Sequence, residues 1–180
     1  MDITITHWIN SAAGYSAVLD AAMMLVTQFG VPVIIVVVAA QWWAGGQRNL
    51  VRHTAVSAGL SFLLGLAINQ VILLFVHRVR PYDAGVTQLL IGLSADWSFP
   101  SDHATASIAV VAAFALHGLR RRTAALFVLA VIVCWSRIYV GTHYLTDILG
   151  GALTGAIAAI AVKLAYRRGS KFDRMITGIF

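Results

Sequence analysis

From His53 to Val76 the chain carries no lysine, arginine, aspartate or glutamate. Such a run cannot lie as an ordinary surface helix, because it has no charged face to give to water. About 20 mainly apolar residues cross a bilayer core, and this run supplies them. Similar runs recur at 30–45, 103–119, 123–140 and 145–166. In hydrocarbon only helices and closed barrels satisfy their own backbone groups, and runs this long predict helices. The expected fold is all-α, a polytopic transmembrane bundle of about five spanning helices plus an N-terminal interfacial helix.

Composition agrees. Of the 180 residues 59% are hydrophobic and 11% charged, and all seven acids are aspartates. Average soluble chains carry about 25% charged residues, and a mean hydropathy of +0.82 leaves too little polar surface for a soluble domain. The net charge of +6 therefore points to membrane sidedness and to no nucleic-acid partner. Ten of the thirteen basic residues (Arg48, Arg52, Arg120, Arg121, Arg122, Lys163, Arg167, Arg168, Lys171 and Arg174) fall at one set of helix ends, which predicts that side as cytoplasmic. The amino terminus is then outside and the tail inside. The expected organisation is one membrane-embedded domain over 1–180, with an interfacial segment at 1–28 and a basic cytoplasmic tail at 167–180. No lysine or arginine precedes Arg48, so no secretory leader is expected. Cys134 stands alone in an apolar run and reads as core filler. Gly151 and Gly155 form G-x-x-x-G, expected to let helices pack within the chain.

Sidedness leaves Arg78, Arg80 and Arg137 on the outer side, where orientation does not require them. Three polar clusters lie at that level: "HRVRPY" (77–82), "FPSDH" (99–103) and "SRIYVGTHYLTD" (136–147). His143 and Asp147 are spaced i, i+4, so they share a helix face. A carboxylate on one imidazole nitrogen fixes the tautomer and frees the other nitrogen. Each guanidinium offers a planar fork that matches phosphate oxygens. Ser101 follows a proline and precedes an apolar run, as a helix N-cap does, and the N–H groups of that helix start favour an anion. His103, in its first turn, is placed to donate a proton. Charge neutralisation, a nucleophile and a proton donor are what phosphoryl transfer requires. No G-x-x-x-x-G-K-[ST] motif is present, so hydrolysis at the outer face is expected rather than ATP-driven transfer.

These clusters resemble the type 2 phosphatidic acid phosphatase family, membrane lipid phosphatases related to the vanadium haloperoxidases. The family pattern is K-x6-R-P, P-S-G-H and S-R-x5-H-x3-D. The third motif is complete in Ser136, Arg137, His143 and Asp147. The second reads Pro100, Ser101, Asp102, His103, with Asp for Gly, and the first keeps Arg80 and Pro81 but has Leu73 for Lys. The resemblance implies His143 as nucleophile through a phosphohistidine, Asp147 as its orienting group and His103 as leaving-group acid. It implies Arg80, Arg137, Ser101 and Ser136 around the phosphate, and no metal or other cofactor. Arg78 or His77 is the expected replacement for the missing Lys. Asp102 belongs to the same set, its side chain turned toward its own helix N–H groups or an arginine.

"FPSDH", Asn69–Gln70 and R-x-R-P further resemble the bacterial undecaprenyl-diphosphatase subgroup of bacitracin-resistance type. That implies a polyprenyl diphosphate substrate, membrane lipids as neighbours, and a bacterial plasma membrane with the site facing outward. The competing readings are a phosphatase for phosphatidylglycerol phosphate, phosphatidate or a lipid A phosphate, and a transporter or scaffold with a degenerate site. A metal hydrolase using His77, His103, His143 and Asp147 is disfavoured, because three arginines repel a cation.

Overall fold

The structure, a computed structural model, describes residues 1–43 and 46–178. The described residues form seven α-helices and no strand: α1 (Asp2–Asn10), α2 (Ala17–Ala40), α3 (Arg48–Leu73), α4 (Asp102–Leu116), α5 (Arg120–Tyr139), α6 (Leu145–Ala165) and α7 (Lys171–Thr177), with a 3₁₀ turn at Gln41–Trp43 after α2. The segments Ala17–Trp43, Arg48–Leu73, Arg120–Tyr139 and Leu145–Ala165 are long and apolar enough to cross a membrane. The fifth, α4, has 15 residues, about 22 Å at 1.5 Å per residue, short of a hydrocarbon core of about 30 Å. It is the central helix, packed against α3, α5 and α6, with Ala104, Ala109, Ala113 and Phe114 fully buried. Protein rather than lipid surrounds it, so its length need not match the bilayer.

The first span extends further toward the amino terminus than the apolar run that begins at Gly30. It begins at Ala17, capped by Ser16, whose side chain accepts from Leu19 N, and it runs through Gly30 and Pro32. Residues 17–28 of the expected interfacial segment thus lie in the same helix as Gly30 and Pro32. Gly-Val-Pro looks like a breaker by rules drawn from water. In lipid a broken helix exposes backbone groups that nothing else can satisfy, so the helix continues. The expected span 30–45 ends at residues that lie outside the described ones.

Helices α3, α4 and α6 approach closely because their facing residues are small. A Cβ at Gly155 would stand 2.5 Å from the Thr105 carbonyl oxygen and 2.8 Å from Ala109 N. One at Gly151 would collide with the Ser101 carbonyl, and one at Gly65 would stand 2.8 Å from the Thr105 methyl. The G-x-x-x-G pair thus packs within the chain and sets the spacing between α4 and α6, the two helices that start at the site.

At the end of the chain, α7 is pinned rather than loose. The buried Asp173 carboxylate accepts from Tyr166 OH and Gly169 N, both at 2.6 Å, and meets His53 Nδ1 at 2.8 Å. Burial alone would raise the Asp173 pKa, but these bonds hold it below the usual carboxylate value. The rest of α7 presents Phe172, Met175, Lys171 and Arg174 outward, as an interfacial helix does.

Candidate active site

The site is assembled where α5 hands over to α6. After Tyr139 the chain turns at Gly141, whose φ of +84° suits glycine and whose Cβ, if present, would strike the Gln88 carbonyl. Thr142 is tied back to the Arg137 carbonyl through both N (3.1 Å) and Oγ1 (2.9 Å). Tyr144 then caps α6, and Asp147 Oδ2 accepts from Tyr144 N at 2.8 Å in a capping box. His143 is held between these two anchors and is 3% exposed.

His143 Nδ1 donates to the main-chain carbonyl of Ser98 at 2.8 Å, while Asp147 Oδ2 stands 3.7 Å away. The expected direct His–Asp hydrogen bond is thus replaced by a relay. Ser98 Oγ donates to Asp147 Oδ2 at 2.6 Å, so the carboxylate fixes the residue that fixes the imidazole. Nε2 is left facing Arg80 Nη1 at 3.5 Å. Burial pushes the His143 pKa below its ordinary value; Arg137 and Arg80 push the same way, and Asp147 opposes them. The result is a neutral imidazole with Nε2 unprotonated, the form a nucleophile needs.

Arg78, Arg80 and Arg137 have different fates. Arg80 is 5% exposed and bonds the Asp96 carbonyl at 3.0 Å, the Thr142 carbonyl at 2.9 Å and the Asp96 carboxylate at 2.8 Å. Arg137 is 6% exposed and makes one bond, Nη1 to Thr27 Oγ1 at 3.3 Å; its Nε has no partner among the described residues. Arg78 does not join them. Its Nη1 donates to Asp147 Oδ1 at 2.5 Å and its Nη2 to Asp2 Oδ2 at 2.6 Å, with the guanidinium over the Tyr144 ring. Arg78 is committed to two carboxylates, and His77 lies against the Trp97 ring, so neither stands free as the cation that Leu73 leaves missing.

The second cluster sits opposite. Ser101 N donates to the Asp147 carbonyl at 3.1 Å, which locks the start of α4 to α6. Ser101 Oγ is fully buried and has no partner among the described residues. Asp102 turns to neither its own helix nor an arginine; Oδ1 accepts from Asn69 Nδ2 at 2.6 Å. His103 lies within electrostatic reach of Arg137, His143 and Arg80 and beside the Thr27 backbone. Ser136 donates to the Val133 carbonyl at 2.7 Å and meets Thr27 Oγ1 at 3.0 Å, so its hydroxyl joins α5 to α2. The structure therefore brings together His143, His103, Arg80, Arg137 and Ser101, while Asp147 and Arg78 lie behind the nucleophile. Two buried orphan donors, Ser101 Oγ and Arg137 Nε, fit an anion. Among the described residues no group of three His, Cys, Asp or Glu side chains could hold a metal ion.

Sequence reasoning missed Ser98, Asp96 and Asp2. Asp2 Oδ1 accepts from Thr146 N at 3.0 Å, Asp2 Oδ2 from Thr146 Oγ1 at 2.6 Å, and Thr6 Oγ1 from Leu145 N at 3.1 Å. Helix α1 thereby satisfies the open N–H groups of α6. Burial opposes ionisation of Asp2, but its bonds from Thr146 and Arg78 leave the pKa below the ordinary value.

The family model for the PAP2 superfamily matches residues 54–171. Undecaprenyl-diphosphatase BcrC of Bacillus subtilis (strain 168) is 31% identical over 157 residues, covering 87% of this chain and 80% of the relative. The putative undecaprenyl-diphosphatase YbjG of Escherichia coli (strain K12) is 33% identical over 137 residues, covering 76% and 67%. Among solved structures, a transmembrane PAP2 type phosphatidylglycerolphosphate phosphatase from Bacillus subtilis aligns with a TM-score of 0.64 at 24% identity, over 94% of this chain and 88% of that one. Aquifex aeolicus LpxE aligns with a TM-score of 0.66 at 22% identity, over 92% and 95%. At these identities the two structures speak to the fold alone.

Proposed function

The chain belongs to the PAP2 superfamily, and from that premise we propose that it hydrolyses undecaprenyl diphosphate to undecaprenyl phosphate and inorganic phosphate. The observation that carries the reading is the His143 imidazole, held at Nδ1 by Ser98 with Nε2 3.5 Å from the buried Arg80 guanidinium. The Nε2 lone pair attacks the terminal phosphorus, and the bond from phosphorus to the bridging oxygen breaks. The leaving lipid monophosphate takes its electron pair, with His103 as proton donor. Water then attacks the phosphohistidine and gives its proton to His103, which releases phosphate and restores His143. Arg80, Arg137 and Ser101 Oγ bind the equatorial oxygens as charge builds on them. Arg78 and Asp147 hold the nucleophile's support in place and do not touch the substrate.

The substrate assignment is supported by the two undecaprenyl-diphosphatase relatives and by charge. A diphosphate carries more negative charge than a phosphate monoester, which suits two buried guanidiniums. In detergent, at equal mole fraction, undecaprenyl diphosphate is expected to be cleaved faster than phosphatidate, and phosphate release is expected to persist in EDTA. Faster turnover of phosphatidate would move the enzyme to another lipid phosphate. Absence of phosphate release from any lipid would favour the non-catalytic reading.

The proposed setting is a bacterial plasma membrane with the site facing outward, supported by the ten basic residues at the opposite helix ends. In a Cys134→Ala background, cysteines at Ala84 and Asn49 are expected to react with an impermeant thiol reagent from opposite sides of the membrane. Labelling of both from one side would reject this orientation.

A further inference from the structure

Arg80 has five N–H donors, and their partners differ in kind. Nε donates to the Asp96 main-chain carbonyl and Nη1 to that of Thr142. Nη2 donates to Asp96 Oδ1 at 2.8 Å and, at 3.4 Å, to the Trp97 carbonyl. Carbonyls hold the guanidinium in place without cancelling its charge. Among the described residues Asp96 alone gives it an anion, and the two partners are unequal: the Arg80 side chain is 5% exposed and that of Asp96 is 56% exposed. One half of the pair is set in the wall of the site, and the other is borne by the loop at its mouth. The same guanidinium carries Nη1 at 3.5 Å from His143 Nε2, so the carboxylate is paired with a group at the proposed phosphate position.

We propose that Asp96 is a resident competitor for the anion site. It neutralises Arg80 when no substrate is bound and yields Nη2 to a terminal phosphate oxygen when substrate arrives. Without substrate, the charge of Arg80 is matched by Asp96. An incoming phosphate restores that balance once Asp96 swings into water, where a half-exposed carboxylate is readily solvated. The three carbonyl bonds keep Arg80 in position throughout, so the exchange moves one side chain and no helix. Any ligand must therefore outcompete a carboxylate. That threshold disfavours weakly charged headgroups and is cleared more easily by a diphosphate than by a monoester. The inference rests on Arg80 being a phosphate-binding group.

The test uses the full-length protein in detergent with inorganic phosphate as the probe. Phosphate binding is read as the phosphate-dependent rise in Tm and as inhibition of lipid hydrolysis. Asp96→Asn keeps the side chain's shape and removes its charge; it is expected to bind phosphate about threefold more tightly, on the scale of an exposed ion pair. Asp96→Ser is a second neutral variant, and its Tm in phosphate-free buffer reports whether the loop still folds. In both variants KM for a lipid monophosphate is expected to fall more than KM for the diphosphate. A merely structural anchor would give the opposite sign, so unchanged or weaker phosphate binding in both variants overturns the proposal. Arg80→Gln separates the two levels. If it binds phosphate as well as wild type, the assignment of Arg80 fails, and the role of Asp96 fails with it.

Discussion

His143→Ala is expected to abolish turnover, with a loss of at least about 10³-fold in kcat, the scale for removal of a covalent nucleophile. No other side chain replaces it. His103 is the remaining imidazole in the group, and it belongs to α4, beside the Thr27 backbone. Alanine leaves the Ser98 carbonyl without its Nδ1 donor, so folding must be checked. His143→Asn supplies an amide that can still donate to Ser98 while lacking a nucleophilic ring nitrogen. Both variants are expected to be inactive, and the asparagine variant is expected to keep a wild-type Tm. Rapid quench of wild-type enzyme into alkaline detergent, with substrate labelled in the terminal phosphate, should trap base-stable, acid-labile label on protein, and His143→Asn should trap none. Near-normal activity in either variant would remove the covalent mechanism.

The bundle is legible in the sequence because lipid leaves the backbone few choices. The runs at 53–76, 123–140 and 145–166 coincide closely with α3, α5 and α6. The start of α2 is not legible, because Gly30 and Pro32 carry their usual meaning only where water can receive a broken helix. At the site, groups whose chemistry is written in residue type are visible from spacing: His143, Asp147, Arg137, Ser101 and His103. What escapes is partnership. The atom that orients His143 is a backbone carbonyl, and a carbonyl carries no residue signature. Arg78 and Arg80 look equivalent in R-x-R-P, yet Asp2, distant in sequence, and Asp147 take one of them out of the site. Asp2 reads as a polar residue near a terminus until α1 folds across the start of α6.

Arg137→Met is expected to separate activity from stability. The guanidinium is 6% exposed, makes one hydrogen bond at 3.3 Å and keeps Nε without a partner. Its neighbouring charges are mixed: Arg80 repels it while Asp96 and Asp102 attract it. A charge so placed has no ion-pair partner among the described residues to leave uncompensated, so an apolar side chain of similar volume is expected to cost the fold little. Methionine is shorter but comparable in volume, and it leaves Thr27 Oγ1 its contact with Ser136. Tm is therefore expected to equal or exceed that of wild type. Activity is expected to fall by roughly 10²–10³-fold, the scale for loss of one preorganised donor to a developing oxyanion. Most of the loss should appear in kcat, because charge on the equatorial oxygens grows on the way to the transition state. Arg137→Lys should restore part of it, since lysine returns the charge without the planar fork. A loss of stability in Arg137→Met with activity intact would reverse the assignment and make Arg137 a structural tie between α2 and α5. The opposite pairing, a firm fold with a silent site, identifies a cation whose orphan Nε is unsatisfied in the fold and satisfied by phosphate.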